Sequence, residues 1–232
     1  MNLYIVATPI GNLEDISQRA LRVLKEVDYI LCEDTRVTKK LLDKYNIDTK
    51  TLAYFQHSKL SKIEQIIDLL KKGNDLALVS DAGTPGISDP GNKLIERVVA
   101  ELGDQIQVIS IPGPSAVVSA LSISGLPTDK FIFYGFLPHK KGKDKILKEI
   151  IGNKYTSVFY ESTHRILKTL DRFHDLGLNK NVVVCRELTK KFESVYRGDI
   201  KQVIEQLNND KTKGEFVVVI SCHGEPSRTM NG

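Results

Sequence analysis

Cysteine is scarce in this chain. The three present, Cys32, Cys185 and Cys222, stand far apart, each in or at the end of an apolar, strand-like run. Such placement argues against a disulfide framework, a zinc site or any other metal centre, and predicts buried, reduced thiols in a cytosolic, cytoplasmic protein. Long apolar stretches are also missing. No run approaches the roughly 20 residues needed to span a bilayer, so no membrane partner is expected. The opening stretch from Leu3 to Ala7 is too short for the apolar region of a signal peptide, and no positive charge precedes it. After that stretch there is neither a three-glycine dinucleotide fingerprint nor the Gly-Lys-Ser/Thr ending of a P-loop, so NAD and ATP are not indicated. Charge of one sign is not in large excess: a net charge of +4 permits nucleic-acid binding only if the lysines cluster on one face. What remains is ordinary for a globular protein, 232 residues with 41% hydrophobic and 27% charged, enough for one large or two small domains with a real core.

The stretch Ser80-Asp81-Ala82-Gly83-Thr84-Pro85-Gly86-Ile87-Ser88-Asp89-Pro90-Gly91 organises the rest. It follows the buried-strand pattern Leu76 to Val79 and precedes a helical pattern over 92–101, with Leu94, Ile95, Val98 and Val99 at helical spacing. Three glycines and two prolines give the loop a fixed path that lets a ligand approach the backbone. Its carboxylates and hydroxyls would lie at the carboxyl end of a strand, where open α/β sheets bind ligands. A plain structural crossover is the alternative, but at twelve residues the loop is about twice the usual length of about 2 to 6.

Leu3 to Ala7 reads as a buried strand, Thr8-Pro9-Ile10-Gly11-Asn12 as a turn, and Ile16, Ala20, Leu21, Leu24 and Val27 as one helix face. Tyr29 to Cys32 is a second strand ending in Glu33-Asp34-Thr35-Arg36. Either Asp34 or Thr35 caps the helix that follows, or the group points into the same crevice as the glycine loop; both readings stand. Thr51 to Phe55 is a third strand, leading to His57, and 62–72 a plain amphipathic helix stopped by Gly73. Ile106 to Ile111 is a strand closed by Pro112-Gly113-Pro114. A small-residue helix then runs from Ser115 to Ser124, its first amides and the Ser115 hydroxyl free to meet a carboxylate or ribose hydroxyl. The break at Gly125-Leu126-Pro127-Thr128 sets a domain boundary, giving domains 1–125 and 126–232.

In the second half, Phe131 to Tyr134 is a strand, followed by the turn Gly135 to Pro138 and the densest cationic stretch, His139-Lys140-Lys141-Gly142-Lys143-Asp144-Lys145. This stretch is a solvated face or, for an RNA substrate, a phosphate-binding loop. Two further strands end in Glu161 to Arg165 and in Arg186 to Lys191, each delivering an acid and a base. A short strand over 193–196, a helix capped by Asp199 and a final strand over 215–221 complete the pattern, and 223–232 carries none. Alternating strands and helices predict two α/β domains with a crevice between them.

The ordered set Thr8 to Leu13, Glu33 to Arg36, Ser80 to Gly91, Pro112 to Pro114, Gly135 to Pro138, Tyr160 to Arg165, Arg186 to Lys190 and Gly214-Glu215 resembles the ribosomal RNA small subunit methyltransferase I family, of the tetrapyrrole methylase class. The likeness covers the chain from Leu3 to about Val219. It implies a tetrapyrrole methylase-like fold, S-adenosylmethionine held in a cleft between the domains, and a homodimer. The implied reaction is 2′-O-methylation of a cytidine ribose in the decoding region of 16S ribosomal RNA, free or in the assembled small subunit. Many members continue into a lysine-rich helical tail, and His57 lacks the acidic or asparagine neighbours common there, so its role is a minor one.

By that resemblance Ser80, Asp81, Ile87, Ser88, Asp89 and Ser115 border the cofactor, with Phe133, Tyr160, Glu187, Leu188 and Glu215 closing from the second domain. The bends near Pro85 and Pro112 are expected to face each other across the interdomain gap. Transfer to a hydroxyl needs collinear reacting atoms and a base. The base candidates are Glu33, Asp34, Glu161 and Glu187. Arg36, Arg165, Arg186 and Lys190 are phosphate holders or electrostatic helpers. Thr8, Pro9, Gly11 and Asn12 would join Glu33 to Arg36 on the acceptor side, and Lys140 and Lys141 would meet RNA. A tetrapyrrole-methylating enzyme and a noncatalytic RNA-binding module are the rivals. The first wants a wide apolar trough where this chain has charged strand ends, and the second has no use for two rigid turns converging on one crevice.

Overall fold

The computed structural model describes residues 1–55, 60–210 and 212–223. The expectations for His57 and for most of the patternless tail lie outside the described residues. The chain divides into two compact units, Met1–Ser115 and Ala116–Gly232.

The first unit is a doubly wound parallel sheet. Its strands are β1 (Asn2–Val6), β2 (Tyr29–Cys32), β3 (Lys50–Ala53), β4 (Leu76–Leu78) and β5 (Gln107–Ile111), in the order β3-β2-β4-β1-β5. Every pairing is parallel. Its central strands read as unbroken apolar runs because both faces are covered. Alternation then sorts the side chains: Leu3, Ile5, Leu31, Leu76 and Leu78 meet α3 (Leu60–Lys71) and α4 (Asn92–Leu102). Val6, Ile30, Cys32, Ala77 and Val79 meet α1 (Gln18–Glu26) and α2 (Thr35–Lys44) on the other side. The first helix starts later than its apolar pattern. Leu13–Asp15 forms a short 3₁₀ turn and the Ser17 hydroxyl accepts the Ala20 N–H as cap, so Ile16 and Val27 flank α1 rather than belong to it.

The second unit carries β6 (Phe131–Phe136), β7 (Thr156–Ser162), β8 (Val182–Arg186), β9 (Ser194–Gly198) and β10 (Glu215–Ile220), in the order β6-β7-β10-β8-β9. Only β6 and β7 pair parallel; the other three pairings are antiparallel. The helix α5 (Ala116–Ser124), counted with the first half on sequence, packs on β10 and β7 through its buried Val117, Ala120 and Leu121 face, so the compact units part before it rather than at Gly125. The cationic stretch is also not all loop. Lys143 opens α6 (Lys143–Gly152), whose Leu147 and Ile150 are buried, and α7 (Ile166–Asp175) and α8 (Ile200–Asn208) complete the unit's core with Phe159, Phe173 and Phe216. Cys32 and Cys185 are free and buried, while Cys222 is only half-buried. Among the described residues no helix is long and apolar enough to cross a membrane.

Candidate active site

In the first sheet, β1 and β4 are neighbours, yet the chain leaves them in opposite directions, through α1 towards β2 and through α4 towards β5 on the other face. That is the topological switch point, and a crevice opens at the carboxyl edge there. Four loops meet at this edge. Thr8 and Gly83 exchange backbone hydrogen bonds at 2.9 and 3.0 Å, and the Thr8 hydroxyl donates to the Ser80 carbonyl at 3.0 Å. The Thr84 hydroxyl donates to the Pro114 carbonyl at 3.4 Å, and the Asp34 N–H donates to Asp81 Oδ1 at 3.1 Å. The loops 8–12, 33–36, 80–91 and 112–115 are thus one constellation. The bends near Pro85 and Pro112 were expected to face each other across an interdomain gap. They touch instead within the first unit, because β4 and β5 flank β1 and their loops leave the same edge.

Of the sequence-selected residues, Thr8, Pro9 and Ser80 are buried in this stitching, whereas Gly11, Asn12, Asp81, Ile87 and Ser88 are exposed and Ser115 is half-buried at the start of α5. Ser88 holds a left-handed backbone at φ 62°, a strained conformation for a residue with a Cβ. Electrostatics then separates the acids. Burial, with Glu33 and Asp81 adding, pushes the Asp89 carboxyl up to about 6, against a Ser80 hydrogen bond that opposes the rise. Burial and then Asp81 raise Glu33 as well. Asp34 goes the other way, to about 2, because the Arg36 guanidinium donates to it at 2.6 Å and the Arg36 N–H caps onto it at 2.8 Å. Asp34 is therefore the N-cap of α2 with its charge fixed by its own neighbour.

In the second unit, a second set gathers where β7 and β8 end and β10 begins. Lys190 Nζ sits 3.0 Å from Glu187 Oε1 and 2.9 Å from Glu215 Oε2, and the Glu187 and Glu215 backbones bond across the gap. Burial alone would raise Glu187, but the Glu215 N–H and the Lys190 ammonium outweigh it and hold the carboxyl low. Glu187 and Thr189 both have positive φ, 51° and 65°, in a half-buried turn around the buried Leu188. Gly214 is required there: at φ 139°, an added Cβ would lie 2.5 Å from Glu187 Cγ. Thr163, part of the strand end Glu161 to Arg165 but given no role there, ties the set together by exchanging hydrogen bonds with Gly214 at 2.6 and 2.7 Å. Phe133 and Phe136 flank the Tyr160 ring at 5.0 and 5.3 Å.

Two arginines expected to hold phosphate are otherwise engaged. Arg186 is buried, its Nε donating to the Lys213 carbonyl at 2.8 Å with Asp210 at 3.8 Å. Arg165 lies against Glu161, its Nε 3.1 Å from Oε1, and donates to the Leu137 and Pro138 carbonyls. Glu161 itself is buried and hydrogen-bonded on both oxygens, which removes it from the base candidates. Lys140 and Lys141 are exposed.

An open α/β sheet with convergent glycine-proline loops at its switch point, followed by a mixed sheet with acid-base strand ends, defines the methylase class of this architecture. The profile of the Tetrapyrrole (Corrin/Porphyrin) Methylases family matches residues 2–204. Solved structures agree on the fold: a diphthine synthase superposes with a TM-score of 0.71 over 95% of this chain and 90% of that one, at 14% identity. A cobalamin biosynthetic enzyme, cobalt precorrin-4 methyltransferase, does so at 0.67 over 97% and 96%, at 18% identity. Sequence relatives are nearer. Proteins named ribosomal RNA small subunit methyltransferase I from Halalkalibacterium halodurans and Hydrogenobaculum sp. are 48% and 49% identical over 96% and 95% of this chain, which span 76% and 96% of those proteins. The namesake from Escherichia coli O157:H7 is 46% identical over 95% of this chain and 78% of its own length. The chain belongs to the ribosomal RNA small subunit methyltransferase I family of the tetrapyrrole methylases.

The cofactor of that family is S-adenosylmethionine. The residues at the first unit's edge fit it: the Asp81 and Asp89 carboxylates would suit an ammonium and ribose hydroxyls, while the buried Ser80 hydroxyl donates to the Ala82 and Gly83 carbonyls and shapes the loop beneath them. When bound, the cofactor supplies an electrophilic methyl on a cationic sulfur. Carboxylates placed at the sulfur would stabilise the reactant more than the transition state, so their proper partners are the other polar groups of the cofactor.

Proposed function

We propose that this enzyme transfers a methyl group from S-adenosylmethionine to the 2′-hydroxyl of a cytidine in the decoding region of 16S ribosomal RNA, in the cytoplasm and as a homodimer. The reading rests on identity of 44 to 49% to proteins named for methylation of small-subunit ribosomal RNA, over nearly the whole chain. Asp81, Asp89, Ile87, Ser88 and Ser115 would hold the cofactor at the first unit's edge, over the loop that buried Ser80 shapes, and the acceptor ribose would lie against Gly11 and Asn12, in the turn that buried Thr8 and Pro9 fix.

Glu33 is the base we assign. A base works best with its pKa near the working pH, and Glu33 is the one of the candidates at this edge whose carboxyl is raised. Asp34 is held ionised by Arg36 and Glu187 by Lys190, which makes both poor proton acceptors. Glu33 would take the hydroxyl proton while the ribose oxygen displaces the methyl group from sulfur, the methyl–sulfur bond breaking and the cofactor leaving as the neutral thioether; the Arg36 guanidinium, largely in solvent beside Asp34, would meet a nearby phosphate. Phe133, Tyr160, Leu188, Glu215 and Lys190 would contact cofactor or RNA, which calorimetric titration of single variants tests; Arg165 and Arg186, engaged within the unit, would not.

Incubation with labelled S-adenosylmethionine and undermethylated small subunits, read by mass mapping of the RNA, tests the whole. One methyl on one cytidine ribose in the decoding region is expected. A methyl on a base, on another nucleotide or on no RNA at all overturns the reading.

A further inference from the structure

A buried ionic network in the second unit takes no part in the reaction proposed above. Glu161, 1% exposed, accepts from Arg165 Nε at 3.1 Å, from the Thr169 hydroxyl at 2.8 Å and from the Ser162 N–H at 2.9 Å. Arg165 reaches on to the chain leaving β6, donating to the Leu137 carbonyl at 2.6 Å and the Pro138 carbonyl at 3.2 Å. From the other side, Lys143 Nζ donates to the Thr169 hydroxyl at 2.9 Å. Burial pulls the Lys143 pKa down and Glu161 partly restores it, as for an ammonium turned inward. One carboxylate therefore anchors both the entry and the exit of residues 139–142.

Between those anchors the chain forms a closed turn. The Lys143 N–H donates to the Lys140 carbonyl at 3.3 Å, and Gly142 takes the left-handed conformation, φ 83°, that the turn demands. Asp144 pairs with Arg172, which fixes the first turn of α6 to α7. The side chains displayed by this frame, Lys140 and Lys141, are exposed and have no carboxylate partner among the described residues. A merely solvated cationic run has no need of such a frame. Burying charges costs free energy that an apolar core of the same volume avoids, so this network is a poor choice for stability alone and a good one for holding a segment in one conformation. A turn fixed beforehand loses little entropy when it meets a ligand.

We propose that Lys140 and Lys141 form a preformed phosphate-binding turn for the RNA substrate, and that Glu161, Arg165, Thr169 and Lys143 are positioning residues that hold it. The proposal rests on the reading that the substrate is RNA. Two adjacent ammonium groups act as point charges for the backbone and read no sequence, so the turn adds affinity without choosing the nucleotide.

The test is binding of labelled, deproteinised small-subunit RNA to the full chain across a salt series, with methyl-transfer kinetics in parallel. The K140Q/K141Q double variant lies on an exposed turn and leaves the core intact. It is expected to lower the slope of log affinity against log salt by about 1.4 to 1.8, since each phosphate left without its ammonium removes about 0.7 to 0.9. KM for RNA should rise about tenfold with kcat and cofactor affinity unchanged. Thr169→Val, which breaks the relay between Lys143 and Glu161, should raise KM for RNA with kcat unchanged, and Thr169→Ser should restore it. An unaltered salt slope in the double variant overturns the proposal, as does failure of the unaltered chain to bind RNA. Equal KM in the Val and Ser variants removes the positioning role. Turn-dependent binding without methylation of a cytidine ribose would sink the reaction assignment and leave the turn standing; methylation with an unchanged slope would do the reverse.

Discussion

Asp89→Asn separates what the acidic edge of the first sheet does for the fold from what it does for binding. The folded protein holds Asp89 at about 6, against 3.8 for the free carboxyl, because burial and the charges of Glu33 and Asp81 disfavour its ionised form. A value raised on folding means that the side chain's contribution is fully present below pH 3.8 and is lost as the pH rises through 6. At pH 7.5 the ionised carboxylate therefore destabilises the fold. About two pH units at roughly 1.4 kcal/mol each set a ceiling near 3 kcal/mol. Asp89 is half-exposed, and solvent screening brings the realistic figure to about 1 kcal/mol. Asparagine keeps an acceptor for the Ser80 hydroxyl and carries no charge. The variant should melt about 2 to 4 °C higher than the wild type at pH 7.5, and the gain should shrink below pH 6. Scanning calorimetry at pH 7.5 and pH 5.0 reads both. A variant that is less stable at pH 7.5, or equally more stable at both, refutes the electrostatic account. If Asp89 holds the cofactor as proposed, the same variant should also bind S-adenosylmethionine more weakly at pH 7.5, because a charge that costs the fold would be one that meets a cationic ligand.

Asp81→Ala should abolish cofactor binding in a calorimetric titration, and unchanged affinity would remove the 80–91 loop from the site. Glu33→Gln should lower kcat by about 10² to 10⁴ with cofactor affinity kept. It should also flatten the acidic limb of the pH–rate profile; a persistent limb would assign the base elsewhere. Gly214→Ala puts a Cβ 2.5 Å from Glu187 Cγ at a backbone angle that side chains rarely adopt. A loss of about 2 to 3 kcal/mol in a denaturation experiment is expected, and an unmoved transition would mean that the Glu187 side chain swings aside freely.

The first unit was readable because its strands and loops each carry their own signal. Leu3 to Ala7, Tyr29 to Cys32 and Leu76 to Val79 are apolar on both faces, as strands of a covered parallel sheet must be, and each ends in glycine, proline or charged residues that a strand would not hold. Convergence of their loops follows from parallel pairing alone. Strand order was not readable, and it decides that the Pro85 and Pro112 bends touch within one unit. The second unit concealed more. Its charged strand ends look alike on sequence, yet the buried Arg186 serves the Lys213 carbonyl and Arg165 the buried Glu161 carboxylate, while Glu187 and Lys190 pair with each other half-buried. Burial depends on which strand lies alongside, and no local pattern carries that. The whole of α6 is absent from the sequence reading for a different reason: Lys143 and Lys145 give its start a loop-like charge, although Ile146, Leu147, Ile150 and Ile151 repeat at helical spacing just beyond.

Glu33 and Asp34 are adjacent in sequence and chemically alike, yet the fold drives them apart. Asp34 turns to the start of α2, where the Arg36 amide and guanidinium stabilise its charge. Glu33, one residue earlier on the same strand end, is half-buried and faces the like charge of Asp81, and both effects make it hold its proton more tightly. Opposite displacement of neighbouring carboxyls lets one be a fixed anion and the other a proton acceptor at the same pH. The division depends on the Asp34–Arg36 pair. Were Arg36 replaced by Leu, Asp34 would lose its largest stabilising interaction and rise towards the ordinary carboxylate range, narrowing the difference between the two acids. Carboxyl-carbon NMR titration of Arg36→Leu therefore reports on the acid-base assignment without any substrate. A value for Asp34 still near 2 in that variant would show that the helix start alone holds its charge, and would detach Arg36 from the chemistry of this edge.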